Sequence, residues 1–413
     1  MNYKVDVAVI GGGASGLVAA ICTKRNNPDL SVYIFEGLDR VGKKLITTGN
    51  GRCNITNKDV NLSRFHGENP TFAEFALAKY NLDAIRSFFN SVGIEFIFEN
   101  DKGFPASLQA GSVVDCLRFE CDRLGINTVC NCKIEEISFK NGFTFVSEND
   151  RIDAKSVICC TGLYSGGEKL GSDGSFFRLL KEAGYKTVKL SPAIVQLKTE
   201  TELVRQLKGI KIDAKATLMQ NGKPTRSEFG EVLFCDYGLS GPAIMNLSRT
   251  AARADGGFSV ALDLYPLTDT KDLAETIYQR RKTLKDRHLE EFFTGMLNKR
   301  LGQIVLKHCG FKLSDSAEIL TKNDCEKIAL TLKALAFKIT GNTGFINSQV
   351  TAGGISTDQF DNKTMMSKKH NGLFASGELL DIDGDCGGFN LAWCWASGML
   401  AAEGCTEYLR GLK

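Results

Sequence analysis

Three glycines near the N-terminus have the spacing of a turn that binds a dinucleotide. Gly11, Gly13 and Gly16 form a GxGxxG pattern directly after the apolar run Val5–Ile10, which predicts a buried parallel strand. In such a turn the first glycine permits a tight bend, the second lets a pyrophosphate approach the backbone, and the third lets the next helix pack on the strand. The N-terminus of that helix offers free N–H groups to the phosphates. The pattern therefore predicts dinucleotide binding.

An acidic residue stands where such a fold recognises a ribose. After a predicted helix over Leu17–Arg25, the segment Leu30–Phe35 reads as a second strand that ends at Glu36. A carboxylate at this point accepts hydrogen bonds from the hydroxyls of the adenosine ribose. The same charge repels a 2′-phosphate, which argues against NADP at this site.

A glycine-rich basic segment follows instead of another strand–helix unit. Val41–Asn57 reads VGKKLITTGNGRCNITN, with three cations at Lys43, Lys44 and Arg52. The bare backbone of Gly49-Asn50-Gly51 suits close approach to a flat ring or a phosphate. The segment is expected to be a loop at the cofactor, and the alternative is a turn exposed to solvent.

Three short predicted strands point to FAD rather than NAD. They are Cys132–Phe139, Phe143–Glu148 and Ala154–Cys160, with a turn signal at Asn141-Gly142, and the last strand ends in Thr161-Gly162. A three-stranded meander that returns to a strand ending in Thr-Gly resembles the FAD-binding Rossmann domain of the glutathione-reductase type. This resemblance implies that the cofactor is FAD.

A second helix entrance near the C-terminus matches the needs of a flavin ring. A predicted strand at Gly372–Ser376 is followed by GELLDIDGDCGGFN and a predicted helix over Leu391–Glu403. Glycines at a helix entrance place its positive end where a reduced flavin carries negative charge. Glu378 is expected to accept a hydroxyl of the ribityl chain, unless it is a surface carboxylate. The alternating Asp381, Asp383 and Asp385 lack the spacing of an EF-hand, so no metal site is predicted.

Six sequence blocks occur in the order found in one bacterial family. They are GGGASG, GKKLITTGNGRCNITN, GEVLFCDYGLSGPAI, QVTAGGIS, TMMSK and GELLDIDGDCGGFNLAWCWASG. With these blocks the chain resembles the aminoacetone-oxidase and bile-acid-reductase-like flavoproteins, a family of NAD(P)/FAD-dependent oxidoreductases. The resemblance covers nearly the whole chain and implies FAD bound by a split domain. That domain is interrupted by a β-barrel-like unit and a helical unit.

The resemblance also implies a set of cofactor contacts. The pyrophosphate is expected against Gly11, Gly13, Ala14, Ser15 and Gly16; the adenosine against Glu36, Ile134, Thr161 and Gly162; the flavin and its ribityl chain against Asn50, Gly51, Arg52, Cys53, Asn54, Gly377, Glu378, Gly387, Gly388, Phe389 and Asn390. Lys43, Lys44, Thr48 and Gly49 of the basic segment complete the predicted cofactor-binding set.

The predicted fold is an α/β FAD-binding Rossmann-type domain, glutathione-reductase-like, split by an insertion. The first part of that domain covers 1–191 and the second 340–413, while 192–268 is a β-rich insertion on the substrate side and 269–339 a helical one. Strands are expected at Ala193–Leu197, Lys215–Gln220 and Phe258–Leu264 of the insertion, and Phe345–Thr351 is expected to re-enter strand. Charged residues at helical spacing predict helices over Lys271–Phe337.

The composition limits which cellular locations and binding partners are expected. The formal net charge is +3 and no run of like charges stands out, which argues against nucleic-acid and membrane-surface partners. Fourteen cysteines are scattered without metal-binding spacing, and the N-terminus enters a strand at once. We therefore expect free thiols, no metal, a cytoplasmic location and a small-molecule substrate. The oligomeric state cannot be read from the sequence.

Spacing alone identifies no catalytic side chain. Cys53 and Cys386 lie in predicted flavin loops, where a packed thiol is favoured over a redox role, and His66 is either a proton donor or a lone surface histidine. The predicted function is an FAD-dependent oxidoreductase that moves hydride between flavin N5 and a small or medium organic substrate, as a reductase using NAD(P)H. The alternatives are an amine oxidase that uses oxygen, an RNA-modifying flavoprotein, and a flavin sensor without turnover. The basic cluster Arg280, Arg281, Lys282, Lys285 and Arg287 gives the RNA alternative slight support.

Overall fold

The computed structural model describes residues 1–140, 142–253 and 256–412. The chain divides into two units, one made of Met1–Pro192 with the segment from Phe345 onward, the other of Ala193–Gly344. Within the described residues, no helix combines the length and apolar character needed to cross a lipid bilayer.

The strands of the described residues are, in chain order, β1 Asn2–Ile10, β2 Val32–Phe35, β3 Thr56–Asn57, β4 Phe65–His66, β5 Phe96–Glu99, β6 Lys102–Pro105, β7 Asn127–Val129, β8 Ile134–Ser138, β9 Phe143–Ser147, β10 Arg151–Cys159, β11 Thr187–Ala193, β12 Leu197–Thr199, β13 Lys211–Gln220, β14 Lys223–Phe234, β15 Gly238–Ser240, β16 Phe258–Asp263, β17 Leu335–Asn342, β18 Val350–Ile355, β19 Leu373–Ala375 and β20 Asp383–Gly384. The α-helices are α1 Ala14–Asn26, α2 Lys43–Thr47, α3 Glu74–Lys79, α4 Leu82–Ser91, α5 Ala110–Arg123, α6 Ser175–Glu182, α7 Thr201–Gln206, α8 Pro242–Arg253, α9 Thr270–Thr283, α10 Lys299–His308, α11 Lys322–Lys333 and α12 Phe389–Gly411.

The first unit is built on a sheet of order β7-β2-β1-β10-β9-β8. β1 pairs in parallel with β2 and with β10, as the unbroken apolar run of β1 requires of a strand covered on both faces. The two ends of β10 have different partners. Arg151–Ala154 pairs with β9, while Val157–Cys159 pairs in parallel with β19 from the C-terminal part of the chain. The Rossmann-type sheet is thus completed by a strand that follows the insertion.

Helices α1 and α12 pack against each other beside this sheet. A Cβ atom at Gly398 of α12 would lie 2.7 Å from the carbonyl oxygen of Ser15, so the two helices approach as closely as glycine allows. Trp393 of α12 is buried and donates its indole N–H to the carbonyl of Gly377 at 3.0 Å. The buried Trp395 donates to Ile55 at 2.9 Å. These contacts tie the two sequence ends of the unit together.

The second unit contains a closed antiparallel barrel with strand order β12-β15-β14-β13-β16-β17. One hydrophobic cluster includes barrel residues such as Val260 and helical residues such as Ile277 and Ile328. The β-rich and helical segments therefore share a single core. Leu197 of β12 is paired with Asn342 of β17, so the chain enters and leaves the barrel at neighbouring points.

Several elements differ from the predicted ones. Ala193–Leu197 is not one strand, because β11 ends at Ala193, β12 begins at Leu197 and Ile194 has a φ of 49° between them. Phe345–Thr351 begins with a 3-10 turn over Phe345–Asn347, and its strand starts only at Val350. The predicted helical stretch ends before Leu335, where β17 closes the barrel.

Two predicted loops also differ in detail. The segment Val41–Asn57 is not loop throughout, since it holds α2 and a 3-10 turn over Thr48–Gly51. The predicted Asn141-Gly142 turn lies partly outside the described residues, because Asn141 is not among them; Gly142 has a φ of 111°.

Candidate functional site

The three glycines of the first turn have separate structural roles. Gly11 has a φ of 101°, and a Cβ there would lie 2.8 Å from the carbonyl oxygen of Cys160 and 2.9 Å from Cα of Thr161. A Cβ at Gly16 would lie only 1.9 Å from the carbonyl oxygen of Gly11. A Cβ at Gly13 would meet nothing within 4 Å. Gly11 and Gly16 are thus required for packing, whereas Gly13 borders open space.

Helix α1 begins beside that open space without a side-chain cap. Its N-cap is Gly13, and no side chain caps the first N–H groups. The first residues of the helix, Ala14 and Ser15, therefore present backbone donors and the positive end of the helix dipole. This end of α1 is suited to bind an anion such as a pyrophosphate.

Glu36 is held at the end of β2 by two backbone donors. Its Oε2 accepts from Gly12 N at 2.8 Å and its Oε1 from Leu38 N at 2.9 Å. Burial raises the pKa of this carboxyl, against the lowering effect of the two hydrogen bonds. The segment that leads to Ile134 lies beside Glu36, because Cys132 N donates to the carbonyl of Glu36 at 2.8 Å. The structure thus brings the predicted adenosine residues close to the glycine turn.

The backbone after α2 is unusual in its run of left-handed residues. They are Gly49, Asn50, Gly51 and Cys53, with φ values of 57°, 56°, 82° and 57°. Non-glycine residues rarely adopt this region, and such runs concentrate at functional sites. The guanidinium of Arg52 stacks 4.3 Å from the ring centroid of Phe104 and pairs with Glu99.

Polar atoms in this segment are buried without a hydrogen-bond partner in the part of the chain that the structure describes. They are Nε of Arg52, Oδ1 of Asn54 and Oγ1 of Thr56. A buried polar atom without a partner is costly, and native proteins rarely leave one unsatisfied. Three such atoms in five residues indicate a place where a polar ligand belongs.

The segment before α12 lies against the same residues. A Cβ at Gly388 would be 2.6 Å from the carbonyl oxygen of Thr56, and Asn57 Nδ2 donates to the carbonyl of Gly387 at 2.9 Å. Gly388 is the N-cap of α12, with a φ of 97° and no side-chain cap. Asn390 accepts from Gly384 N and donates to Gly384 O, both at 2.8 Å, which closes the loop between them. A second uncapped helix N-terminus therefore meets the unpartnered polar atoms.

Glu378 is neither exposed nor free. Its side chain is 13% exposed and pairs with Lys44 Nζ at 2.7 Å. Its Oε1 accepts from Ser165 Oγ at 2.6 Å and from Thr351 N at 3.1 Å, and Lys44 also contacts Ser165. The surface-carboxylate alternative is therefore wrong. Sequence reasoning missed Ser165 and Thr351, because single hydroxyl residues far apart in the chain carry no spacing signal.

Gly377 links this network to the glycine turn. Its φ is 67°, and a Cβ there would lie 2.9 Å from Ser15 Oγ and 3.4 Å from Cys394 Sγ. Lys43, in contrast, pairs with Asp39 and not with Glu378. The two predicted lysines thus have different partners.

His66 is not a lone histidine. It lies in β4, which pairs with β20, and its Nε2 is 2.8 Å from Oδ1 of Asp385. The imidazole is 22% exposed and the carboxylate 6%. Asp385 belongs to the segment that leads into Gly387, Gly388 and α12.

The two cysteines predicted near the flavin are weak acids. Cys53 is fully buried, and burial raises the pKa of its thiol to about 12. Burial also raises the pKa of the Cys386 thiol. A thiol of high pKa carries little thiolate at neutral pH, which favours packing over redox chemistry at both positions.

The residues present fit FAD. The open space at Gly13 and the uncapped end of α1 suit the pyrophosphate, and Glu36 lies where the adenosine ribose is expected. The unpartnered atoms of Arg52, Asn54 and Thr56, with the uncapped end of α12, suit the polar edge of a flavin ring. Thr48 and Phe389 lie in the same two segments.

Known proteins resemble the chain along its whole length. The family model described as HI0933-like protein Rossmann domain matches residues 5–404. The chain is 33% identical to the 3-dehydro-bile acid delta(4,6)-reductase of Clostridium scindens, over 97% of this chain and 99% of that protein. It is 26% identical to the ribosomal RNA dihydrouridine synthase of Haemophilus influenzae, over 97% and 98%.

Among solved structures, the fold is similar to that of an E. coli quinol fumarate reductase subunit. The TM-score is 0.52 at 15% identity, and the match covers all of this chain and 72% of the other. At this identity the likeness concerns the fold alone.

Proposed function

The chain belongs to the HI0933-like family of FAD-binding Rossmann proteins and is an FAD-dependent oxidoreductase, and from this membership we propose that it reduces a carbon–carbon double bond conjugated to a carbonyl group. The proposed substrate is a small or medium organic molecule, and the proposed electron donor is NAD(P)H. Bound FAD supplies hydride transfer at N5 of its ring.

The proposal that a bound flavin is reduced at this site rests mainly on one structural observation. The uncapped N-terminus of α12 and the unpartnered Oδ1 of Asn54 meet at Gly388, where a Cβ would lie 2.8 Å from that oxygen. A helix N-terminus stabilises negative charge on the group it faces. The free N–H groups at this helix end would thus stabilise negative charge that hydride uptake places on a bound flavin ring, while Oδ1 of Asn54 would accept a hydrogen bond from an N–H group of that ring.

The relatives support reduction as the direction of the proposed reaction. A delta(4,6)-reductase and a dihydrouridine synthase both add hydrogen across a carbon–carbon double bond, and the chain spans nearly the full length of each. The bile-acid reductase is the more similar of these two relatives. This similarity supports a flat, apolar ketone as the substrate of the present chain. The aminoacetone-oxidase resemblance remains a prediction, since neither relative bears on it.

Anaerobic absorbance of the purified protein tests this proposal. NADH or NADPH should bleach the flavin band, and a 3-keto bile acid with double bonds at C4 and C6 should restore it under nitrogen. Bleaching by an amine, with peroxide formed on exposure to air, would instead establish an oxidase. A protein that retains no flavin would overturn the proposal.

Ribosomal RNA is a second candidate substrate. The relative from H. influenzae supports it, and residues 193–344 contain 23 Lys and Arg against 18 Asp and Glu. This excess is modest for a nucleic-acid-binding surface. Restoration of the flavin band by ribosomal RNA and not by the bile acid, with a rate that falls steeply as salt rises, would favour this candidate.

A further inference from the structure

We propose that His66 is the proton donor of the reduction, with Asp385 as its positioning residue. This inference rests on the proposed function, because saturation of a double bond needs one hydride and one proton. It adds the group that supplies the proton, which neither the sequence spacing nor the relatives identify.

Asp385 lies in the segment that leads to the N-terminus of α12, and His66 lies beside it on β4. β4 and β20 align His66 with Asp383, and Asp385 N donates to the carbonyl of Arg64 at 2.9 Å. Asn390 holds the far end of the same segment by its two bonds to Gly384. The imidazole is therefore fixed to the structure that carries Gly387 and Gly388.

Asp385 leaves one nitrogen of His66 available. Oδ1 of Asp385 is 2.8 Å from Nε2, and its Oδ2 is 3.7 Å from the guanidinium of Arg64. Within the described residues, Nδ1 of His66 makes no hydrogen bond, and the side chain is 22% exposed. A carboxylate on one ring nitrogen orients the imidazole and fixes its tautomer, so that the other nitrogen is the one that can exchange a proton with a substrate.

The neighbouring thiols are poorer donors. Burial raises the pKa of both Cys53 and Cys386, which makes each thiol a weaker acid than an ordinary cysteine. An imidazolium is the side chain best matched to proton transfer near neutral pH.

The step balances with the donor already named. When bound, FAD would supply the hydride, drawn from NAD(P)H, that bonds to the carbon β to the carbonyl. The π electrons of the double bond form the new bond between the α carbon and the proton from Nδ1 of His66. The neutral imidazole, with its proton on Nε2 facing Asp385, then recovers a proton from water.

The test separates the two half-reactions in His66→Gln, whose amide can still reach Asp385. Flavin content and bleaching by NAD(P)H should stay within about twofold of wild type, whereas reoxidation by the 4,6-diene 3-keto bile acid or by cyclohex-2-enone should slow by about 100-fold or more. His308→Gln, at an exposed position on α10, is the matched control and should leave both rates unchanged.

A readout independent of turnover is the tautomer of the imidazole. In ¹⁵N-histidine-labelled protein, the signal lost in His66→Gln should belong to a ring that carries its proton on Nε2 when neutral, and Asp385→Asn should weaken this preference. A ring protonated on Nδ1, unchanged reoxidation in His66→Gln, or an equal fall of both half-reactions would each overturn the role of His66. Failure of both enones to reoxidise the wild type would instead overturn the proposed function, and this role with it.

Discussion

At the scale of single residues, Gly13 differs from the other two glycines of the turn because a Cβ atom at this position would meet no other atom within 4 Å. The other two glycines of the pattern are fixed by contacts that no Cβ could share, so their replacement tests folding. Replacement at Gly13 tests ligand binding, since its φ of −81° is accessible to any residue.

Gly13→Asp should therefore fold and fail to retain flavin. A carboxylate in the space next to α1 would repel a pyrophosphate by about 3 kcal/mol, which lowers affinity about 100-fold. Flavin absorbance per protein, with circular dichroism as the check on folding, measures the effect. Gly13→Ala is the control and should keep a normal melting temperature; full flavin content in Gly13→Asp would refute the pyrophosphate assignment.

The thiol of Cys53 should resist alkylation in the folded protein. The thiolate is the reactive form, and a pKa of about 12 in place of 9.0 leaves about 1,000-fold less thiolate at pH 8. Iodoacetamide labelling followed by mass spectrometry should thus modify the half-exposed Cys235 first and Cys53 only after unfolding. Early modification of Cys53 would contradict its assignment as a packed thiol.

The Lys44–Glu378 pair should contribute to stability as a unit. Lys44→Met leaves a carboxylate that is 13% exposed without its cation, and we expect a loss of about 2 kcal/mol in the free energy of unfolding. Lys44→Met combined with Glu378→Gln should regain part of that loss, because an amide needs no counter-ion. Urea unfolding of flavin-free protein gives both values, and a double variant that is no more stable than Lys44→Met would show that the carboxylate does not depend on its cation.

Contacts of this kind limit what the sequence can predict about a site. Glycine spacing located the turn, Glu36 and the entrance to α12 because those features are local. Lys44 and Glu378 are 334 positions apart, and His66 and Asp385 are 319 apart. Their pairing depends on the sheet that brings both ends of the chain together, so no local pattern reveals it.

At the scale of elements, the two long helices of the first unit start in the same way. α1 begins at Gly13 and α12 at Gly388, each without a side-chain cap. A serine or aspartate at either position would satisfy the free N–H groups with its own oxygen and compete with a ligand. Because neither N-cap residue supplies such an oxygen, the first N–H groups of both helices are left to bind a cofactor.

Gly388→Ala should destabilise the protein more than a comparable change elsewhere. Its φ of 97° and the 2.6 Å approach of a Cβ to the carbonyl of Thr56 together predict a loss of about 3 kcal/mol. Gly93→Ala, with a φ of 90° and nothing within 4 Å, should lose only about 1 kcal/mol. Urea unfolding compares them, and equal losses would show that contact with Thr56 carries no weight.

Element boundaries were predicted well where periodicity was unbroken and poorly at the edges of the barrel. β1, β9 and β16 lie within two or three residues of the expected strands. Ala193–Leu197 was wrong because it spans a change of sheet from β11 to β12, and Phe345–Thr351 was wrong because its first residues form a turn before β18. The turn at Ile194 and the 3-10 turn at Phe345 depend on tertiary pairing that apolar runs do not encode.

At the scale of the whole molecule, residues 193–344 should fold in isolation. Their barrel is closed, their barrel and helices share one hydrophobic cluster, and the pairing of Leu197 with Asn342 brings their ends together. We expect the fragment to show cooperative thermal unfolding and dispersed amide NMR signals without flavin. A fragment with collapsed, non-cooperative behaviour would show that it depends on the rest of the chain.

The pairing of β10 with β19 has a consequence for biosynthesis. Val157–Cys159 remains an open strand edge while the ribosome makes the next two hundred or so residues, until Leu373–Ala375 is released. Gly377, Glu378 and α12 follow only after that. A nascent chain thus cannot assemble the flavin site before β19 and α12 have left the ribosome, and during that interval the unpaired edge is exposed to chaperones and to aggregation.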